Sequence, residues 1–351
     1  MLQLVPEQAV GLDLSDTSIE IVAVREFLNS VKVTGLGRIL LEPGAVSHGD
    51  IVRPDRVMPL LQNVFASARP KPIAERGITM IIPETHLYST IVSVPSDVAK
   101  KDVKQIVRTS GTEKIPLVRE EFWDAWSEPL FTDDGAVVNY FAVPAKIITS
   151  YQKLAEVSGF KVRQFVPEQL ALLNVAISDL PEEPLLILDF GGERTMLMLV
   201  DKSGVVLSAS LAVGGNHLTR AIQKQLGKTL KAAEETKIEN GLDPEALKGK
   251  LFLILQREIQ PIMKKMTQMM AYYERRFGVQ ISKIILTGGG AQLKSFSEYV
   301  QSNTGRTVER VASWLSFDQA FPMLYTGALG AALQHIGWGV MKISPFEFSY
   351  D

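Results

Sequence analysis

The chain is expected to be an α/β protein of two related lobes, with a small α+β unit inserted into the first. Three observations lead there. An apolar strand that ends in an aspartate, turns and returns as a second strand occurs twice, at Val10–Val24 (VGLDLSDTSIEIVAV) and at Leu185–Val200 (LLILDFGGERTMLMLV). Each copy is followed by strands and amphipathic helices, so the pattern reads as duplicated halves facing one another across a cleft. The length of 351 residues exceeds one ordinary core, and a hydrophobic content of 46% is ample to fill two.

In the first lobe, Val31–Leu41 supplies a third antiparallel strand, and the Gly- and Pro-bearing residues 44–54 form a loop. Asp55–Ala68 carries Val57, Leu60, Leu61, Val64 and Phe65 at helical spacing until Pro70 and Pro72. Gly77–Pro83 is apolar throughout, as in a strand covered on both faces. From Tyr88 to Gly159 the texture changes, and this stretch is the inserted unit. It reads as a strand at Ser89–Pro95, a helix at Ala99–Thr109 broken by Gly111, strands at Glu120–Trp126 and Ala136–Val143 joined through Asp134-Gly135, and a helix at Lys146–Val157. A strand at Phe160–Val166 and a helix at Pro167–Ser178 return to the first lobe.

In the second lobe, a strand at Val205–Val213 leads through Gly214-Gly215 into a helix starting at Asn216. A helix N-terminus after a glycine pair favours an anion. A short helix covers Leu230–Asn240. The long amphipathic helix after it carries Ile259, Ile262, Met263, Met266, Met269, Met270, Tyr273 and Phe277 on one face, read as core, with a kink expected at Pro261. Ile281–Thr287 is a buried strand running into Gly288, Gly289 and Gly290, which put bare backbone at a strand's carboxyl end, where α/β folds bind ligands. The helix Met323–His335 is rich in Gly and Ala, suited to close contact across the lobes, and from Gly337 the tail is expected to trail off. The expected division is 1–87 with 160–184 and 323–340, the inserted unit 88–159, the second lobe 185–322 and a tail 341–351.

Composition excludes several classes. Lys+Arg of 37 against Asp+Glu of 39 gives a net charge of −2, so no basic excess points to nucleic acid. Cysteine is absent, which removes disulfides and thiolate chemistry, and the four histidines lack metal-ligand spacing. The N-terminus has no basic n-region and no apolar run is long enough for a membrane span, so a cytoplasmic protein is expected, reaching a membrane only through a partner. A carboxylate beside a glycine turn, as at Asp189, suits a phosphate with its metal: glycine amides can approach anionic oxygens and the acid can hold Mg2+ through water.

These stretches, in this order, resemble the actin-like ATPase superfamily. The two aspartate hairpins resemble its phosphate motifs, Ile284–Phe296 (IILTGGGAQLKSF) its adenosine motif, and the helices near Pro167 and Met323 its connecting helices. The inserted run SVPSDVAKKDVKQIVRTSGTEKIPLVREEFWDAW resembles the PilM family of type IV pilus assembly, on the FtsA and PilM side of the superfamily, as do AVGGNHLTRAI and AAEETKI. The resemblance implies a two-lobed actin-like fold of duplicated RNase H-like domains that binds ATP with Mg2+. It assigns Asp13 and Asp189 to the metal, Ser15 and Thr17 to the first phosphate loop, and Gly191, Gly192 and Thr195 to the second. Gly214 and Gly215 lie near the phosphates, Glu234 and Lys237 near the ribose and base, Gly288 to Gly290 at the adenosine, and Glu168 where relatives keep a water-positioning carboxylate. The chain departs from the pattern at Ser15, Asp16, Glu20 and Gln169, where relatives commonly have other residues, and these departures argue for nucleotide binding with slow turnover. The nucleotide would then clamp the lobes, and the output would be a surface that holds the cytoplasmic N-terminal peptide of a PilN-like membrane protein. Its groove would be walled by Val92, Val94, Val103, Ile106 and Val107, residues that equally suit the core of the inserted unit. The alternatives are an FtsA-like filament former, disfavoured by the short acidic tail MKISPFEFSYD, and a sugar or acetate kinase, for which no separate acidic base is found. Self-association of the PilM kind stays open.

Overall fold

The first hairpin is β1 (Gln8–Leu14) and β2 (Ser18–Phe27), antiparallel with Asp13 opposite Glu20. It belongs to a computed structural model that describes residues 8–27, 30–98, 102–116, 121–132, 135–311 and 323–348. Residues 99–101, Glu120, Asp134 and the first seven residues, to which the sequence reading gave roles, lie outside the described residues. The chain divides into unit 1, residues 1–179 with 313–351, and unit 2, residues 180–312.

In unit 1, β3 (Ser30–Leu40) extends the hairpin. Inside the stretch read as loop, β4 (Val46–Ser47) and β5 (Asp50–Ile51) pair around His48 and Gly49, both at positive φ, the conformation that a tight two-residue hairpin demands. Helix α1 (Pro54–Ala66) buries Val57, Leu61, Val64 and Phe65, as its periodicity requires. Strand β6 (Gly77–Ile82) is buried at every residue and lies parallel to β1. The inserted unit consists of β7 (Tyr88–Pro95), α2 (Val103–Glu113), β8 (Phe122–Trp126), β9 (Leu130–Thr132) and β10 (Gly135–Pro144), followed by α3 (Ala145–Val157). Helix α2 does not break at Gly111. A Cβ there would lie 2.6 Å from the Tyr140 ring, so this glycine serves the packing of an aromatic against the helix backbone rather than a stop. Strand β11 (Lys161–Pro167) pairs in parallel with β6, and α4 (Glu168–Ala176) is buried from Glu168 to Val175.

Unit 2 begins with β12 (Leu185–Phe190), β13 (Thr195–Asp201) and β14 (Gly204–Leu211), then α5 (Gly215–Leu226) and α6 (Leu230–Asn240). Helix α7 (Lys250–Phe277) is one unbroken helix of 28 residues that includes Pro261, with Ile259, Ile262, Met266, Met269, Met270 and Tyr273 in the core. Strand β15 (Lys283–Thr287), α8 (Phe296–Thr304) and β16 (Thr307–Arg310) complete the unit. The main sheets of the two units have one topology. Unit 1 runs β3-β2-β1-β6-β11 and unit 2 runs β14-β13-β12-β15-β16; in both, three antiparallel strands continue into two parallel ones. The duplication legible in two hairpins therefore extends to whole sheets.

The chain returns to unit 1 with α9 (Thr326–His335), buried from Thr326 to Gln334. Its close approaches are to β1 and α4: a Cβ on Gly11 would fall 1.9 Å from the Ala328 carbonyl oxygen, and one on Gly330 1.7 Å from that of Ala171. Only glycine allows backbones this near. The tail does not trail off. Met341 and Phe346 are buried, and β17 (Glu347–Phe348) joins the inserted sheet, giving the order β17-β8-β10-β7 with β9 on β10.

Candidate functional site

Strand pairing sets the site residues of unit 1. Asp13, Glu20 and Arg38 are register partners on adjacent strands and so share one face of the sheet. Asp13 lies against the start of α9, where a Cβ on Gly327 would come within 2.4 Å of its Oδ2. Glu20, one of the departures from the family pattern, is 5% exposed and accepts a hydrogen bond from Arg38 Nε at 2.7 Å. Burial pushes its carboxyl up, against the opposing effects of Ser18 and Arg38. Arg38 is a residue the sequence reading missed. Its partner is 18 positions away and only strand register brings them together.

The β1–β2 turn is closed on itself. Ser15 Oγ accepts the amides of Thr17 at 3.3 Å and Ser18 at 3.1 Å, while the Ser15 amide donates to the Ser18 carbonyl at 3.0 Å. Asp16, another of the departures, is turned to the β4–β5 hairpin, where its carboxylate accepts the amides of His48 and Gly49 at 2.9 Å each. Glu168 is buried at the start of α4, and its Oε2 accepts the Glu84 amide at 2.8 Å, so one oxygen of this candidate for positioning water holds the chain between β6 and β7.

In unit 2 the expected residues form a continuous set. Asp189 ends its strand against Gly288, whose φ is +81° and whose Cβ would lie 2.5 Å from Asp189 Oδ1. Gly290 similarly makes room for the Phe190 ring, at 2.5 Å, so these glycines of the Gly288–Gly290 turn, with Gly289 between them, are explained first by packing on the Asp189-Phe190 end. The Gly191-Gly192 turn is stitched to Gly214-Gly215 by backbone bonds. The amides of Gly215 and Asn216 donate to the carbonyls of Gly191 and Gly192 at 2.9 and 2.8 Å, and the His217 and Leu218 amides reach Gly214. The first donors of α5 are therefore engaged. A phosphate at this helix start would therefore compete with acceptors that the neighbouring turn already supplies. Thr195 is fully buried and donates to the Val213 carbonyl at 2.7 Å, which holds the strand leading into the glycine pair.

Lys237 is the hub of the unit 2 set. Its Nζ donates to the Gly215 carbonyl at 2.9 Å, to Thr219 Oγ1 at 2.8 Å and to Glu234 Oε2 at 2.8 Å, so all three ammonium protons are taken. Thr219, one turn beyond Gly215, and Glu193, which accepts from Asn216 and Arg220 at 2.9 Å each, were not singled out from the sequence. Helical spacing could have found Thr219. Arg220 and Asn216 hold the Glu193 carboxyl below its ordinary range, partly offset by burial.

Gly191 and Gly215 leave bare backbone beside this set, since a Cβ would meet only Arg194 O at 3.0 Å at the first and nothing nearer than Lys237 Nζ at 3.5 Å at the second. A carboxylate, bare backbone, an ammonium and the partly exposed Glu234 have the chemistry to take a nucleotide's metal and ribose. The amides of Gly191, Gly215 and Asn216 would have to leave their present acceptors to cradle a phosphate. Among the described residues no group of three or more His, Cys, Asp or Glu is arranged to hold a metal, so a metal in unit 2 would rest on Asp189 and on oxygens from water or phosphate.

The groove expected of the inserted unit is corrected. Val92, Val94 and Val107 are core residues, packed with Ile115, Phe122, Val138 and Tyr140, and Val103 is partly buried against them. Ile106 is half-buried. Side chains that fill a core cannot wall a groove.

The family model for the type IV pilus assembly protein PilM matches residues 11–318. Among solved structures, a PilM–PilN type IV pilus biogenesis complex is similar at a TM-score of 0.76 and 20% identity, covering 93% of this chain and 98% of the other. MreB5 of Spiroplasma citri bound to AMPPNP is similar at a TM-score of 0.56 and 15% identity, over 94% and 96%. EutJ from Carboxydothermus hydrogenoformans is similar at 0.57 and 16%, over 94% and 90%. The fold is thus that of the actin-like ATPases. Cell division protein FtsA of Enterococcus hirae is 22% identical over 255 residues, which are 66% of this chain and 57% of that protein, so the chain spans just over half of such relatives. Among the described residues no helix is long and apolar enough to cross a membrane.

Proposed function

The chain belongs to the PilM family of type IV pilus assembly proteins, and from that premise we propose that it is an adaptor on the cytoplasmic side of a pilus assembly platform. In this reading the inserted unit holds the cytoplasmic N-terminal peptide of a PilN-like membrane protein, and the chain reaches the membrane through that partner. The observation that carries the reading is the nearly full-length likeness to the PilM–PilN complex. The revised docking element is the outer edge of β7, which pairs with no other described strand and exposes Ser89 and Ser93 beside the half-buried Ile91. An extended peptide could add there by main-chain hydrogen bonds.

Unit 2 binds ATP with Mg2+ in the same proposal. Asp189 serves the metal, Gly191, Gly192, Gly214 and Gly215 the phosphates, Glu234 and Lys237 the ribose, and Gly288 to Gly290 the adenosine. Bound Mg2+ would neutralise phosphate charge. Asp13 is the matching acid of unit 1. The engaged amides support modest affinity, and the Ser15 turn and the Glu168–Glu84 bond support slow turnover at most. Binding then serves to stabilise one shape of the adaptor rather than to drive chemistry.

Calorimetry tests both halves. Wild type is expected to bind Mg-ATP and Asp189→Ala to bind at least tenfold more weakly, while a PilN-like N-terminal peptide binds with a Kd on the order of micromolar. Peptide binding without nucleotide binding would remove ATP from the proposal and leave the adaptor. Failure of the peptide to bind the folded chain would remove the adaptor.

A further inference from the structure

The chain's last described residues complete the edge of the inserted sheet. The Glu128 amide donates to the Lys342 carbonyl at 2.9 Å, the Ser344 amide to the Trp126 carbonyl at 2.9 Å, and the Trp126 amide to Ser344 Oγ at 3.1 Å. Beyond them Glu347 lies opposite Asp124 and Phe348 opposite Trp123 in an antiparallel pair only two residues long. Phe348 meets the Trp123 ring edge-on at 6.1 Å.

Beneath this pair is a preformed acid receptor. Asp124 is fully buried and accepts from Arg108 Nη2 at 3.0 Å and Tyr140 Oη at 2.8 Å. The same Arg108 Nη2, on a side chain 8% exposed, also reaches Glu347 Oε2 at 3.4 Å, with Lys104 Nζ on that oxygen at 3.2 Å. Both cations also lie over the Trp126 ring, at 5.5 and 5.6 Å. Two cations over the Trp126 ring thus face Glu347 on one side of the pair, and Trp123 takes Phe348 on the other. Arg108 and Asp124 of the receptor are buried, whereas its occupant pairs over only two residues and presents a carboxylate 40% exposed.

We propose that the outer edge of β8 is a docking site for an extended partner segment carrying an acidic residue between aromatic ones, and that the chain's own Phe346-Glu347-Phe348 occupies it until such a segment displaces it. The tail is a tethered copy of the ligand. Its attachment gives it a high effective concentration, so a free segment competes well only when it is locally abundant or makes further contacts. Strand addition gives affinity through the backbone, and the Arg108–Lys104 pair with the Trp123 and Trp126 rings gives selectivity. The site is separate from the β7 edge, which is the opposite side of the same sheet, and it does not depend on nucleotide.

The test uses a labelled peptide of residues 343–351 (ISPFEFSYD) with the full-length chain and with a chain ending at Lys342. The peptide is expected to bind the shortened chain at least tenfold more tightly than the full-length one, and a peptide carrying Glu347→Lys to lose at least tenfold. Equal binding to both chains, or no binding to a shortened chain that keeps its circular dichroism, overturns the proposal. Hydrogen exchange on the intact chain decides the matter if the shortened chain does not fold. The Ser344, Glu347 and Phe348 amides should exchange at least tenfold faster than those linking β8 to β10. Equal protection of the two sets would mean the tail is an integral strand, and the proposal fails.

Discussion

Replacing Lys237 with methionine removes the ammonium and keeps most of the apolar stem. The residue is 8% exposed, so the lost contacts are desolvated. Three hydrogen bonds go, but unequally. The one to Glu234 faces water, since that side chain is 42% exposed, and counts for little. The Gly215 carbonyl keeps a partner, because Thr219 Oγ1 lies 3.0 Å from it. What remains is the loss of charge-assisted bonding around buried Thr219 and Gly215, about 2 kcal/mol in all. For a unit of this size that corresponds to a fall in Tm of about 8 °C, at about 4 °C per kcal/mol. Differential scanning calorimetry reads it directly, and chemical denaturation checks that the slope with denaturant is unchanged. The same variant should bind Mg-ATP at least tenfold more weakly, because the carbonyl that fixes the glycine pair has lost its cation. A Tm within 2 °C of wild type would refute the view that Lys237 is the hub of this set.

Arg108→Met should cost about 3–5 kcal/mol, because it leaves Asp124 buried with only Tyr140, and the double variant Arg108→Met/Asp124→Leu should recover much of that in urea denaturation. Glu193→Gln should lower the stability of unit 2 by less than about 1 kcal/mol at neutral pH, since its partner Arg220 is half-exposed. The Glu193 carboxyl is depressed in the fold, so its contribution is present above its ordinary value of 4.5 and lost as pH falls through the folded value. The melting curves of this variant and wild type should therefore converge in acid, and a gap that persists there would show that charge is not the cause. Gly330→Ala forces a methyl against the Ala171 carbonyl and should cost about 1–3 kcal/mol or more, seen as a lower Tm and a lower soluble yield.

Much of the fold was legible because alternation and helical spacing are local. Val57, Leu61, Val64 and Phe65 lie buried on α1 as their spacing requires, and β6 is buried at every position as its unbroken apolar run implied. Two hairpins of one design were enough to read duplicated halves, and the shared strand order of the two sheets followed. A glycine misled where its reason was a neighbour rather than a turn. Gly111 was read as a helix stop and is a seat for Tyr140. The aliphatic positions of the inserted unit suited a groove or a core equally, since a side chain's period does not say what covers it.

The order of the elements, the acids at the ends of β1 and β12, and the glycine pair beside the second were determined by the sequence alone, because each is set by residues close together along the chain. Tertiary structure decided which polar groups are already satisfied. Arg38 reaches Glu20 across a strand register, Asp16 turns to the amides of His48 and Gly49, the Gly191-Gly192 turn takes the first donors of α5, and the tail finds Arg108 on an inserted unit more than 200 residues earlier. Hydrogen bonds and ion pairs act only over a few ångströms, and which distant groups come that near is fixed by packing, to which local spacing is blind.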